Sequence, residues 1–344
     1  MPRIFFFNRP HKLSFHLLIV GILLTKTSVT AAQNIDFSLR DPLDGYQMNS
    51  ILRPADTFDN TRFWTAAGVG AGLYLTSTYL LYQTWYKEFE TGPFRSFNDW
   101  PEWSQMDKAG HLYAAYFQSR LSYAGARWAG MKRPSARWTA IGVSTLIQST
   151  IEVFDGFSTE WGFSWSDVGA NTLGTGLFIA QDILWQEQRI LIKVGNNLRG
   201  HPDWPITVDD VQSNLGSISR ERFGDYPFER FLKDYNNQSI WLSANIKSFF
   251  PKSNLPVWLN LAVGYGAENV FGAYGNSWTV GDTRFRFPED RYRQWFLSPD
   301  IYLSRIPTKK RWVRLALGIL DILKVPAPTM EYSRGKLKWH WLMW

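Results

Sequence analysis

Hydrophobic and polar positions along the chain fall into two regimes. From Phe63 to Tyr86 there is no charged residue; the run is bracketed by Arg62 and Lys87 and carries Trp64 and Trp85 near its ends. By length and flanks it predicts a helix able to span a membrane. Three further helices are expected at about Gln105 to Ala129, Ser135 to Phe154 and Ser166 to Ile192, each rich in Ala, Gly, Ser and Thr, with uncharged cores shorter than a full span. With the first they make a bundle, either partly immersed or buried in protein. Gly68 and Gly72 stand at the GxxxG spacing that lets another helix backbone approach closely, unless they reflect only the Ala/Gly bias of the helix.

Beyond Ile192 the period shortens to two. Ile240, Leu242, Ala244 and Ile246 alternate with Trp241, Ser243, Asn245 and Lys247; Leu259, Leu261, Val263 and Tyr265 repeat the pattern. Trp295 to Ser304 is a weaker strand because of Pro299, and Leu337, Trp339, Trp341 and Met343 place one face on a last strand. Each of these predicts a strand with one apolar face. Lys309 to Lys324 reads as an amphipathic helix, lying at a charged membrane surface or covering the sheet. An aromatic C-terminus after alternating strands resembles outer-membrane barrels, but about five strands fall short of the eight of the smallest. The expectation is an α+β protein: a bundle of about four helices, then a strand-rich antiparallel part packed on it.

The first residues change the boundaries of that reading. Arg3, Arg9 and Lys12 precede an apolar stretch from Leu13 to Leu24, and small residues follow around Val29 to Ala32. This is the layout of a cleavable secretory signal, with an apolar core too short for a spanning helix. The organisation expected is a signal at 1–32, an irregular arm at 33–60 containing Pro42, Gly45 and Pro54, a helical unit at 61–192 and the strand-rich region at 193–344. The localisation expected is the cell envelope, at the periplasmic face of a membrane, with the outer membrane favoured.

Composition narrows the partners. The net charge of +7 includes Arg3, Arg9, Lys12 and Lys26 of the leader, so the mature chain carries +3, too little to imply nucleic acid. The absence of cysteine removes disulfides, thiolate metal sites and the acceptor for a lipoprotein anchor. Aromatic content of 17% with 18 Trp exceeds the need of a soluble core and points to membrane lipid as a partner, with a glycan-binding cleft as the alternative. Whether there is a protein partner is left open by composition.

One constellation can carry chemistry. Two helices begin alike, Ser104-x-x-Asp107-x-x-x-His111 and Ser164-x-x-Asp167-x-x-x-Asn171. Both starts match a capping box, and on that ground alone the two aspartates need no further role. Glu152 and Asp155, however, end the helix between them, where negative charge opposes the dipole and calls for a cation, a metal or a ligand. His111, in an apolar run, is a hydrogen-bonded core histidine or a ligand and proton carrier. Lys108 and Glu160 lie close by in sequence. Asp107, Lys108, His111, Glu152, Asp155, Asp167 and Asn171 are therefore the candidate pocket, with His111, Glu152 and Asp155 as candidate ligands of a divalent metal ion. Gly264-x-Gly266 lacks the rest of a nucleotide loop, and Asn237-Gln238-Ser239 is a chance-level acceptor motif.

The run Asp107-Lys108-Ala109-Gly110-His111, then Glu152-x-x-Asp155, then Gly162-Phe163-Ser164-Trp165-Ser166-Asp167 with Asn171 and Gly174 resembles the YfiM-type predicted periplasmic lipoprotein family, whose function is unknown, and is more distantly similar to VanZ-like membrane proteins. Leu232 to Gln238 and Trp241-Leu242-Ser243 resemble the strand-rich extension of longer members. The resemblance implies the helical unit and an envelope location, and supplies no reaction. This chain departs from the lipoprotein label in having no cysteine to acylate. Two functions follow: an envelope protein whose polar pocket binds a divalent metal or a phosphorylated or lipidic substrate, or a non-catalytic assembly protein in which the same residues form an internal ion-pair network.

Overall fold

The computed structural model describes residues 54–87 and 90–344, so the signal and most of the arm lie outside the described residues. The helical half comprises α1 (Asn60–Leu81), continued by a π turn at Tyr82–Tyr86, then α2 (Met106–Trp128), α3 (Arg133–Phe157) and α4 (Trp165–Leu184). Helix α2 is central. Its Tyr116 and Tyr123 pack edge-on against Phe178 of α4, with ring centroids 6.0 and 5.4 Å apart. Gly174 of α4 lies so close to α2 that a β-carbon there would sit 2.2 Å from the Leu112 carbonyl.

Three expectations are corrected in this half. No helix among the described residues is long and apolar enough to cross a membrane; α1 has the length, but Thr65, Thr76, Ser77, Thr78 and its glycines dilute its hydropathy. Gly68 and Gly72 have nothing within 4 Å of where a β-carbon would be, so the close helix approach belongs to Gly174 instead. The fourth expected helix does not run to Ile192: it stops at Leu184, a turn with Gln186 at φ 56° follows, and Ile190 opens a strand. The run Ile-Leu-Ile-Lys-Val, with three β-branched residues, suits a pleated backbone better than a helix.

The second half is built on one antiparallel sheet with strand order β1-β4-β5-β8-β9-β10, where β1 is Ile190–Asn196, β4 Gln238–Asn245, β5 Leu259–Glu268, β8 Tyr292–Ile301, β9 Ala327–Ser333 and β10 Lys336–Met343. Two hairpins, β2–β3 (Pro205–Val208 and Val211–Asn214) and β6–β7 (Ser277–Val280 and Thr283–Arg286), lie outside it. Short helices α5 (Leu215–Phe223) and α6 (Pro227–Lys233) follow β3, the single turn α7 (Ile246–Phe249) follows β4, and α8 (Arg311–Leu320) lies between β8 and β9. The sheet curls. Val194 of β1 donates to Ile322 and accepts from Lys324, and Ser239 donates to the Trp344 carbonyl. Ile192, Val194 and Ile240 join the core of Tyr116, Tyr123 and Phe178, which docks β1 and the start of β4 on the helices.

The period of two is as expected, but over most of the sheet the faces are reversed. In register across five strands, Leu242, Val263, Leu297, Met330 and Trp339 form one row, and all five are exposed. The next row holds Tyr265, Trp295, Tyr332 and Leu337. The opposite face is buried and largely polar: Ser243, Asn245, Asn260, Ser298, Thr329 and Glu331 point inward beside Trp241 and Phe296. Lys193 lies 3.0 Å from both Asp300 and Asp321, all three fully buried.

Candidate functional site

The site lies where the first turns of α2 and α4 meet α3. Helix α2 is entered through three consecutive residues in the left-handed region, Trp103, Ser104 and Gln105, with φ of 48°, 53° and 63°. For side chains other than glycine this costs on the order of 1–2 kcal/mol each. The other half of the protein holds the turn in place: Trp103 N–H donates to Ala273, Tyr265 donates to the Ser104 carbonyl, and Arg293 donates to Gln105. Ser104 is therefore not a cap, since Gln105 occupies that position and makes no capping bond. Ser164 does cap α4, accepting the Asp167 N–H at 3.0 Å.

At the centre is Lys108, buried, with its Nζ 2.5 Å from Asp99, 2.8 Å from Asp107 and 2.8 Å from Asp167. Burial disfavours the ammonium, but Asp107 and Asp167 outweigh it and raise its pKa. Asp99 also accepts from Ser164 and Ser166. Although burial opposes it, hydrogen bonds from Asp167, Lys108 and the two serines hold its carboxyl down at about 2. Asp167 goes the other way: burial first, then the Asp107 charge, push it up to about 8. Asp107 stays below the usual carboxylate range despite burial, through His111 and Lys108, and it accepts from the Tyr235 hydroxyl at 3.0 Å.

His111 connects the acids. Its Nδ1 lies 3.3 Å from Gln148 Oε1 and 3.2 Å from Asn171 Oδ1, with Glu152 Oε1 at 3.8 Å. The Gln148 amide is oriented by its own donation to Gln118. Facing acceptors on that side assign the proton to Nδ1. The Nε2 atom then faces Asp107 and Asp167, each 3.9 Å away. Burial lowers the His111 pKa, but Asp107, Asp167 and Glu152 together raise it. Glu152 accepts the Ser164 N–H through Oε2, while its buried Oε1 has no hydrogen-bond partner; burial raises its pKa.

Of the residues singled out in sequence, Asp107, Lys108, His111, Glu152, Asp167 and Asn171 come together. Asp155 stands one turn past Glu152 and is held by the Tyr86 hydroxyl at 2.6 Å; burial pushes it up to about 7. Glu160 is exposed. The ligand atoms that converge within 4.8 Å of one another are those of Asp107, His111 and Asp167, a trio different from His111, Glu152 and Asp155. Glu152 sits on the Nδ1 side of the ring and is tied to Ser164, and Asp155 is tied to Tyr86. The sequence reading missed Asp99, Gln148 and Tyr235. Asp99 lies in a segment with no period, and Tyr235 arrives from 128 positions away; only Gln148, one turn before Glu152 on α3, could have been found from helical spacing.

The trio fits a small divalent cation in kind: two carboxylates and an imidazole whose other nitrogen donates to the Gln148 and Asn171 carbonyls, as the free nitrogen of a metal-bound histidine does. Ligand atoms around a tetrahedral ion with bonds of about 2.0–2.2 Å are roughly 3.4 Å apart, so the two histidine–carboxylate distances of 3.9 Å need a contraction of about half an ångström, and the two carboxylate oxygens, within 4.8 Å of each other, have to adjust as well. No curated protein and no solved structure matches the chain. Residues 97–181, a span that takes in Asp99, Lys108, His111, Glu152 and Asn171 but neither Tyr86 nor Tyr235, match the model of a family described as a predicted periplasmic lipoprotein (DUF2279).

Proposed function

We propose that the chain is an exported envelope protein whose inter-helical site binds a divalent cation through Asp107, His111 and Asp167 and acts on a phosphorylated or lipidic envelope substrate. The observation that carries this is the convergence of His111 Nε2 and one oxygen each of Asp107 and Asp167 within 4.8 Å of one another, a donor set suited to a divalent cation. The match to a periplasmic family supports the location. A bound cation would supply Lewis-acid polarisation of a phosphoryl or carbonyl oxygen. Of the chain's own groups, Lys108 offsets negative charge, Gln148 and Asn171 fix the imidazole, and Tyr235 orients Asp107. Glu152, with one oxygen free, is placed to take a proton.

Metal analysis of the purified mature protein tests this, beside a His111→Ala, Asp167→Asn variant shown to be folded. Stoichiometric metal in the parent and none in the variant is expected. Absence of metal in both, with no shift in the parent's melting temperature on adding Mg²⁺, Mn²⁺ or Zn²⁺, would overturn it.

The second reading is a structural ion-pair network, favoured by the three carboxylates already gathered on Lys108. Buried networks of this kind hold helices together without turnover. Glu152→Gln separates the two: a network member costs stability when changed, whereas a catalytic group costs activity with the fold intact.

A further inference from the structure

The outward face of the sheet in the second half is apolar and its inward face polar. A water-soluble sheet buries its apolar face and leaves polar residues to solvent; here Lys193, Asp300 and Asp321 are wholly buried while Leu242, Val263 and Leu297 stand 47%, 50% and 40% exposed. Two adjacent rows in register, without a charge in either, make a contiguous apolar surface of the kind that monomeric soluble proteins avoid. The inward polar groups are satisfied among themselves: Lys193 is paired with both aspartates, Ser243 donates to Asp300, Asn245 donates to Asn260, and Gln294 donates to Glu331. Burying ion pairs costs more than burying apolar side chains of the same size, so the arrangement is favourable only where the outside is less polar than water.

We infer that the outward face of the β4–β5–β8–β9–β10 sheet rests in the acyl region of a lipid bilayer. Three observations select lipid over a second copy of the chain or another protein. Outward residues of β8 from Trp295 to Ile301 cover six residues of rise, about 20 Å of strand, which exceeds one leaflet's hydrocarbon depth of roughly 15 Å. The first row ends in Trp339 and the second carries Trp295 and Tyr332, residues whose amphipathic rings collect at membrane interfaces. The exposed pair Lys309 and Lys310, which follows the end of β8 in sequence and immediately precedes α8, supplies positive charge of the kind that anionic headgroups attract. In addition α3 exposes Trp138, Leu146 and Val153 on a separate element, and a fluid phase covers two such surfaces at once where one rigid partner would not. Apolar burial of this area, at about 25 cal/mol per Å², is then gained on membrane contact rather than on folding.

The lack of cysteine makes the test direct. Leu297→Cys and Met330→Cys, each labelled with the fluorophore NBD in the full chain, are compared with Val280→Cys on the β6–β7 hairpin. Purified protein is diluted from mild detergent into vesicles of phosphatidylethanolamine and phosphatidylglycerol. The expected result is brighter, blue-shifted emission at 297 and 330, quenched by doxyl-labelled acyl chains, with no change at 280. Two results would overturn the inference: emission at 297 and 330 unaltered by vesicles, or emission already blue-shifted in lipid-free buffer together with a doubled mass, which would assign the face to a second copy. Neither result depends on the metal, so this proposal and the proposed function fail separately.

Discussion

The Tyr235 hydroxyl donates to Asp107 Oδ1 at 3.0 Å, so a residue between α6 and β4 completes a site otherwise made from the helical half. Tyr235→Phe removes that donor and leaves a buried carboxylate oxygen less satisfied. The expected loss is on the order of 1–3 kcal/mol in urea unfolding. With a metal bound, its affinity falls roughly 10–100-fold, as when other groups that hydrogen-bond a metal's ligands are removed, read by competition with a chelating dye.

Lys108→Met removes the one ammonium that three carboxylates share. Leaving buried charge uncompensated costs about 3–5 kcal/mol, which thermal or chemical denaturation will show. The same variant distinguishes the two functional readings: added divalent cation restores melting temperature if the acids can ligate one, and does not if they only pair with lysine.

Asp155 gives a pH signature. Facing it are Tyr86 from the π turn, Glu152 on its own helix, and His111 and Asp107 from α2. Burial lifts its folded-state pKa to about 7 from the ordinary carboxylate value of 3.8, so its contribution is fully present below about pH 4 and is lost as pH rises towards 7. Asp155→Asn keeps an acceptor for Tyr86 and removes the charge. The variant should match the parent at pH 4 and be more stable at pH 8 by roughly 2–4 kcal/mol, measured by melting at the two pH values.

Glycine substitutions separate a true helix contact from sequence bias. Gly174→Ala places a methyl 2.2 Å from the Leu112 carbonyl and must push α4 off α2, costing about 1–3 kcal/mol. Gly68→Ala and Gly72→Ala meet nothing and should stabilise α1 by roughly 0.5–1 kcal/mol each. Circular dichroism melts of the three variants check the order.

Much of the fold was legible because period depends on local geometry. Two helices after the first were placed to within a few residues, the last was placed at its start but carried past Leu184 into a strand, and the alternations at Ile240 and Leu259 marked real strands. The direction of those alternations was not legible. A period of two gives two faces but does not say which is inside; that depends on what surrounds the molecule, and the habit of turning Leu242 and Val263 inward presumes water. The site was half legible: one-turn spacings joined Asp107 to His111 and Asp167 to Asn171, whereas Asp99 and Tyr235 are brought in by backbone without period. Capping logic explained Ser164 and failed at Ser104, where the left-handed turn at Trp103–Gln105, held from the distant sheet half, takes the cap away.

The pairing of Val194 with Ile322 and Lys324 has a consequence for how the protein behaves when crowded by other polypeptides. A terminal strand with unpaired N–H and C=O groups is a template on which other chains add and aggregate. Here β1 is bonded on both sides, and the register of β10 breaks between His340 and Met343, so the other margin offers only a short regular ladder. A polypeptide with sticky side chains on its outer surface thus gives neighbouring polypeptides little backbone to grow on, and its tendency to associate is steered away from fibres.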